Sequence, residues 1–397
     1  MPIKFSLDSA MYNVVLLMAF AAPLSTAAAS IAVGLGVLFI LYHRWRTKTW
    51  PPFDANLLEV LAVYMVCQVI VASSSWEPLT SFREVIGELH RLFPLVFAMT
   101  FIKNRAQLSG VLIVSLLALL INDAAGIYQY FFAGEPRAFG FSHTPTFYGS
   151  FMLIQFPLMI FIAQLKFLPP LWRGLSILGA GLSLICLVLS MTRGAWLAFV
   201  AVALLFVVLE RKYRLFAAKI CAGLAVVFLI VALLSPKIQD RLSTMVSTNF
   251  QSNTERVLMW QSAAEIFKDY PICGVGQKMF FEAYNKQYIS DEARERPGEI
   301  GRGHTHPHNN LLHRASEGGI IGLGAFVGLY AYFFWKFYTQ FRREKNIPFG
   351  AGMTALLILA GLQLEGLTDT NMNQVPIMRE FWLLAGTLLA AENILKR

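Results

Sequence analysis

The chain has 397 residues, 56% hydrophobic and 14% charged, with a formal net charge of +9. Soluble globular chains carry about 25% charged residues, so this deficit excludes a soluble enzyme, a secreted module or a nucleic-acid binder as a reading of the whole chain and points to a polytopic membrane protein. The basic excess is then first a question of topology, because the cytoplasmic loops of membrane proteins are enriched in Lys and Arg.

A span needs roughly 20 apolar residues to cross about 30 Å of hydrocarbon. Apolar runs between polar punctuation predict helices at about 10–23, 26–42, 57–73, 84–102, 108–131, 146–165, 171–190, 194–209, 215–234, 319–338, 350–366 and 376–394. Pro23-Leu24-Ser25-Thr26 divides the first apolar stretch in two. A cleaved signal peptide is the rival reading there, since Lys4 leads an apolar segment ending near Ala27-Ala28-Ala29, but another apolar run follows at once. Residues 235–318 hold no span-length run. The expected architecture is an all-α polytopic membrane protein of about 12 transmembrane helices, with a large, partly helical periplasmic loop between spans nine and ten. Its parts are residues 1–234 with nine spans, the loop at 235–318 as the catalytic segment, and 319–397 with three spans.

Alternating the connections between two sides puts Lys4, Arg44, Arg46, Lys48, Lys103, Arg105, Lys166, Arg173, Arg211, Lys212, Arg214, Lys336, Arg342, Arg343, Lys345, Lys396 and Arg397 together. The short connections of the other side hold only Arg83, Arg137, Arg193 and Arg379, with Arg91 inside the fourth span. That bias predicts both termini in the cytoplasm. The long outer loop is basic, but long translocated segments are largely exempt from the rule. Cys67, Cys186 and Cys221 fall in spans and only Cys273 in the loop, so no disulfide can form within it.

Several outer-side residues could carry chemistry. Arg193, in Thr192-Arg193-Gly194-Ala195-Trp196, runs against the charge bias in a tight turn; an interfacial arginine beside a Trp anchor is the plainer alternative. Ser252-Asn253-Thr254-Glu255 has capping-box spacing before a run from Glu255 to Tyr270, with Val257, Trp260, Ala264 and Phe267 on one face. This predicts an amphipathic helix on the membrane surface, with Arg256 in its first turn and Pro271 after its end. His304, His306, His308 and His313 crowd ten residues. A metal site is one reading, although no Cys and no nearby carboxylate cluster completes a ligand set. A general base is the sharper one, imidazole having an unperturbed pKa near 6.5. The glycines of Glu317-Gly318-Gly319-Ile320-Ile321-Gly322-Leu323-Gly324 lack the strand and Lys of a phosphate loop and read as small residues for close helix packing. Glu84, Glu88 and Arg91 share a helix face, where mutual pairing is the simplest account.

His308-Asn309, followed at fixed spacing by Gly319 and Gly322, resembles the histidine signature of bacterial O-antigen ligases. Arg256-x-x-x-Trp260 through Pro271, Gly274, Gly276 and Phe280 resembles the loop helix of the wider ligase and polymerase superfamily. The segments around Arg193, and Arg137-Ala138-Phe139-Gly140-Phe141 with Pro145, resemble two further superfamily stretches. The resemblance implies an inverting, metal-independent glycosyltransferase without cofactor in the inner membrane, active on its periplasmic side. It would move O-antigen from undecaprenyl diphosphate to a sugar hydroxyl of lipid A-core. For that chemistry His308 is the candidate general base and Arg193 and Arg256 the candidate diphosphate ligands, and Arg137, His306, Asn309, Arg91 and Asp369 are candidates for binding substrate. The chemistry fits, since guanidinium binds phosphate oxygens bidentately and no nucleotide-binding motif is present. An O-antigen polymerase or a protein O-oligosaccharyltransferase is the near alternative. A lipid-linked saccharide flippase is the distant one, and polar groups gathered on one side count against it.

Overall fold

The computed structural model describes residues 6–210, scattered positions in 214–233, and 236–246, 251–295, 306–344 and 349–395. Its first eight helices are α1 (Leu7–Ala21), α2 (Thr26–Thr47), α3 (Ala55–Ser73), α4 (Pro78–Phe101), α5 (Arg105–Phe131), α6 (Pro145–Gln164), α7 (Pro170–Leu189) and α8 (Arg193–Leu209). The loop carries α9 (Pro236–Val246), α10 (Gln251–Asp269), α11 (Phe280–Ala283), which runs on as a π-turn over Tyr284–Tyr288, and α12 (Asp291–Glu295). The last three are α13 (Asn310–Arg343), α14 (Ala351–Glu365) and α15 (Val375–Leu395). Local chemistry sets the starts: Ser25, Asp54 and Asn104 each accept a hydrogen bond from the backbone N–H three residues on, and proline opens α4, α6 and α7.

A helix stands at each expected span outside 215–234, a stretch that falls largely among residues not described. By length and composition α2, α3, α5, α6, α7 and α13 can cross a membrane, and α1, α8 and α14 are shorter apolar helices. The chain is therefore an all-helical polytopic membrane protein among its described residues. α4 and α15 both carry ionisable groups and pack along each other, so closely that a Cβ on Gly386 would lie 2.4 Å from the Leu95 carbonyl oxygen. Burial in the bundle keeps the charges of α4 off lipid and lets them pair. On α4, Arg91 bonds to Glu84 and lies 3.7 Å from Glu88, as their shared face anticipates. Arg314 of α13 grips both oxygens of Glu88 at 3.1 and 3.4 Å, Tyr64 of α3 donates to the same carboxylate, and Lys278 reaches Glu84 at 3.0 Å.

The loop departs from expectation in two ways. α10 begins at Gln251, so Ser252 to Glu255 lies inside the helix and is not its cap. Its buried face is Leu258, Met259, Ala263 and Ile266, whereas Val257 is 47% exposed. That face closes a small core with Val275, Met279, Phe280, Tyr284 and Ile289, with Trp76 and Leu312 at its margin. The loop's own apolar residues, and not lipid, are what the helix covers; a single-helix pattern cannot show that a later segment of the same loop will fold back onto it.

Residues 271–277 thread past a break in α13. At Gly319 the backbone leaves the helix, with φ 57° and ψ −155°. Ile320 and Ile321 then donate to the carbonyls of Pro271 and Ile272 at 2.8 and 3.2 Å, while Val275 and Gly276 donate to Ser316 and Glu317 at 3.1 and 2.9 Å. The two backbones touch: a Cβ on Gly319 would lie 2.4 Å from the Ile272 carbonyl carbon, and one on Gly274 2.3 Å from that of Glu317. From below, Trp76 N–H donates to the Val275 carbonyl at 3.0 Å, and Gln277 donates to Gln68 at 3.0 Å. The expected role of these glycines in helix–helix packing is thus corrected at Gly319, which serves a backbone crossing; Gly324 and Gly328 meet nothing within 4 Å.

Gly319→Ala should therefore lower the melting temperature in detergent severely, since a non-glycine residue in such a region costs of order 1–3 kcal/mol before the clash is counted. Gly324→Ala should leave it within a degree or two, and equal melting of the two variants would refute the assigned role.

Candidate active site

The turn between α7 and α8 organises a set of arginines. Its carbonyls point at guanidiniums: Ser190 accepts from Arg137 Nε at 2.8 Å, and Met191, at φ 51°, accepts from Arg241 Nε at 2.9 Å. Thr192 Oγ1 accepts from Arg137 Nη2 at 3.2 Å and donates to the Pro145 carbonyl at 3.0 Å. Arg193, at the start of α8, reaches the loop, bonding the Thr244 carbonyl at 2.5 Å and Asn253 Oδ1 at 2.8 Å. Gly194 is needed because a Cβ there would lie 2.5 Å from Thr368 Oγ1, so its smallness serves packing within the protein. Trp196 donates to the Leu187 carbonyl at 2.8 Å and locks the turn from inside.

The loop bearing Arg137 is held as firmly. Gln129 Oε1 accepts from the N–H groups of Phe139 and Gly140 at 3.1 and 2.7 Å, and Asn122 accepts from Phe141 at 2.8 Å. Gly140 takes φ 52° there.

Arg137, Arg193, Arg241 and Arg256 line one cavity of about 160 Å³ with Thr146, Thr192, Gly194, Glu365, Thr368 and Asp369. Burial, and then the charges of Arg241, Arg193 and Arg256, push the Arg137 guanidinium down to about 10. Burial and Arg256 lower Arg241 in the same way. All remain cationic at neutral pH, so this is a pocket of mutually repelling cations, suited to an anion of multiple charge.

Asp369 links this cavity to the histidines. Its carboxylate lines the cavity and lies 3.3 Å from His308 Nδ1, and its Oδ1 also accepts from the Thr370 N–H at 2.7 Å. Burial raises the pKa of Asp369, but hydrogen bonding and charge from His308, with His306 behind, outweigh it and hold the carboxyl below its ordinary value. His308 sits at φ 50°, a left-handed position uncommon for a side-chain-bearing residue, and its side chain is 31% exposed. His306 stands edge-on to it with ring centroids 4.6 Å apart, and burial plus the neighbouring His308 and His313 push His306 down to about 3, so it stays neutral at physiological pH. One turn after Arg256, Trp260 donates to the Pro307 carbonyl at 2.8 Å, so a single face of α10 supplies a cation to the cavity and an anchor for the histidine segment.

Of the residues singled out in the sequence, Arg137, Arg193, Arg256 and Asp369 meet in the cavity wall, with His308 and His306 against Asp369. Asn309 caps α13: its Oδ1 accepts from Leu312 N–H at 2.9 Å and its Nδ2 donates to the Leu367 carbonyl at 2.9 Å. Arg91 is not brought to the cavity lining; it lies in the buried ion network of α4. His304 falls outside the described residues. Arg241 was missed, for it stands in no motif; the only signal was one more arginine on the outer loop. The histidines also have a carboxylate partner that their own stretch of sequence does not contain. Asp369, distant in sequence, joins His306 and His308 with ligand atoms all within 4.8 Å of one another.

Residues 178–327 match the family described as O-antigen ligase. The O-antigen ligase of Salmonella typhimurium is 27% identical over 218 residues, covering 51% of this chain and 49% of that relative, so the two align over about half of each. The family match contains Arg193, Arg241, Arg256, His306 and His308, while Arg137 and Asp369 lie outside it.

Pyrophosphate should raise the melting temperature of the purified protein, and Arg241→Gln should weaken that binding by roughly tenfold or more, a hydrogen bond to a charged group being worth about 1.5–3 kcal/mol. Titration of the thermal shift checks this; an unchanged response in the variant would remove Arg241 from the anion pocket.

Proposed function

As the chain belongs to the O-antigen ligase superfamily, we propose that it transfers O-antigen polysaccharide from undecaprenyl diphosphate to a sugar hydroxyl of lipid A-core, at the periplasmic face of a bacterial inner membrane. Residues 235–318 are the catalytic loop of that face, and both termini lie in the cytoplasm. The observation that carries the reading is the shared wall: Asp369 lines a cavity of four arginines and, at 3.3 Å, orients the imidazole of His308.

In the proposed reaction the diphosphate of the donor occupies the arginine cavity. With Nδ1–H of His308 directed to Asp369, Nε2 is the basic nitrogen and takes the proton of the acceptor hydroxyl. The acceptor oxygen bonds to the anomeric carbon as the carbon–oxygen bond to the diphosphate breaks, and the bonding pair leaves on the phosphate oxygen. Arg137, Arg193, Arg241 and Arg256 stabilise the charge that gathers there. Attack opposite the leaving group inverts the anomeric centre. His306 and Asn309 hold His308 in place, one by ring packing and one by capping α13. A metal-assisted form of the same transfer is the second reading, favoured by the ligand geometry of His306, His308 and Asp369.

Reconstitution with lipid-linked polysaccharide and lipid A-core tests the reading. A shift of the lipopolysaccharide band is expected; extension of the lipid-linked chain alone would mean a polymerase. His308→Ala should reduce transfer by about 10²–10⁴ while the melting temperature is kept. Arg193→Lys should also be impaired, because Lys keeps the charge and loses the fork that reaches Thr244 and Asn253. Activity that survives EDTA supports the metal-independent form, and loss restored by zinc would establish the other.

A further inference from the structure

A second concavity lies at the opposite end of the bundle. α5 has 27 residues, about 40 Å at 1.5 Å per residue. Its C-terminal end leads to the Arg137 loop, and its N-terminal end follows Lys103, which lines the new cavity of about 690 Å³. The basic side chains there are His43 and Arg46 from α2 and Lys103, with Tyr42 and Trp50 beside them. The one carboxylate of the lining, Asp8, is already held by Lys103 at 2.7 Å. Lys48, at φ 61°, turns the chain after α2, and Arg44 lies 5.5 Å over the ring of Trp50.

Two features go beyond what topology-setting basic loops require. The first is the aromatic edge: Tyr42, Trp45 and Trp50 are all exposed, at 44, 65 and 57%, as side chains at a head-group boundary are. The second is continuity with a crevice walled mainly by apolar side chains. Pro52 lines both the basic cavity and a neighbouring crevice of about 250 Å³, whose walls are Phe53, Leu57, Leu58, Val96 and Met99 together with Asp54 and Thr100. Asp54 is already engaged, its Oδ1 accepting from the Leu57 N–H at 2.8 Å. A basic compartment for a phosphate thus opens beside one whose side chains are mostly apolar.

We propose that this is a binding site for an anionic glycerophospholipid, its phosphate in the basic cavity and an acyl chain in the crevice between α3 and α4. A zwitterionic lipid would bring its own ammonium group up against Arg46 and Lys103, whereas a head group of net negative charge complements these two cations, the one carboxylate of the lining, Asp8, being engaged by Lys103. The site is separate from the arginine cavity and shares no lining residue with it.

Native mass spectrometry of the full chain in mild detergent, offered phosphatidylglycerol or phosphatidylcholine of matched chains, tests the proposal. The wild type should retain phosphatidylglycerol preferentially. Arg46→Gln with Lys103→Gln should cut that retention by roughly 10–30-fold, each basic group near a lipid surface being worth about fivefold. Met99→Trp, which fills the crevice and leaves every charge in place, should also release the lipid, and it keeps the test decisive if loss of the Lys103–Asp8 pair unfolds the double variant. Equal retention of the two lipids by the wild type, or unchanged retention in the Met99 variant, would overturn the proposal. So would glycerol 3-phosphate displacing the lipid at equal concentration, which would mean a soluble phosphate site.

Discussion

The crossing of residues 271–277 over the break in α13 is the constraint on which the outer face depends. Two chains approach there to backbone contact, which only glycine at positions 274 and 319 permits, and four backbone hydrogen bonds fasten the contact on both sides of the break. The crossing fixes where α10 lies, because Pro271 follows directly on its end, and where the first turns of α13 lie, because Ser316 and Glu317 are bonded into it. Glu317 serves both: its carbonyl receives Gly276, and its carboxylate accepts from Phe280 N–H at 3.1 Å and pairs with His313 at 3.0 Å. The residues that carry the candidate chemistry therefore rest on main-chain geometry, which is stiffer than any set of side-chain contacts.

The electrostatics divide into two regimes. Around α4 charges are matched: Glu84, Glu88, Arg91 and Arg314 satisfy one another out of contact with lipid, an arrangement that breaks badly if one partner is removed, since an orphaned buried charge costs about 3–5 kcal/mol. At the arginine cavity four guanidiniums outnumber the two carboxyl side chains of the lining, Glu365 and Asp369. Main-chain carbonyls of Ser190 and Met191 hold Arg137 and Arg241 in place without neutralising them, so the net positive charge is left for an incoming anion. A carbonyl positions a guanidinium, whereas a carboxylate would also cancel it.

The helices were legible because hydropathy is a local property of composition, and an apolar run of span length has few alternatives. The histidine, the tryptophan-linked arginine and the turn arginine were legible because each sits in a spaced motif. What stayed hidden was long-range. The apolar face of α10 is chosen by residues 275–289, which fold back on it, and the local pattern put Val257 on the wrong side. Asp369 meets His308 across a separation of 61 residues, so the carboxylate that completes the histidine group could not be counted. Arg241 reaches the cavity by contact with Met191, 50 positions away, and Arg91 pairs inward because α4 is enclosed by other helices. The Asn after His308 was legible as a motif residue, but its role as a helix cap follows only from where α13 begins.

The break at Gly319 also has a mechanical consequence. A continuous helix would transmit any tilt or axial shift of its membrane portion to the residues at its outer end. Here the segment from Asn310 to Gly318 is fastened instead to its surroundings, through Asn310 N–H to the Gly366 carbonyl at 2.7 Å and Arg314 to Glu88. Ile320 and Ile321, the first residues beyond the break, are bonded to the same crossing segment as Ser316 and Glu317, so the membrane portion of α13 and its outer turns share a main-chain anchor in place of a continuous helical rod.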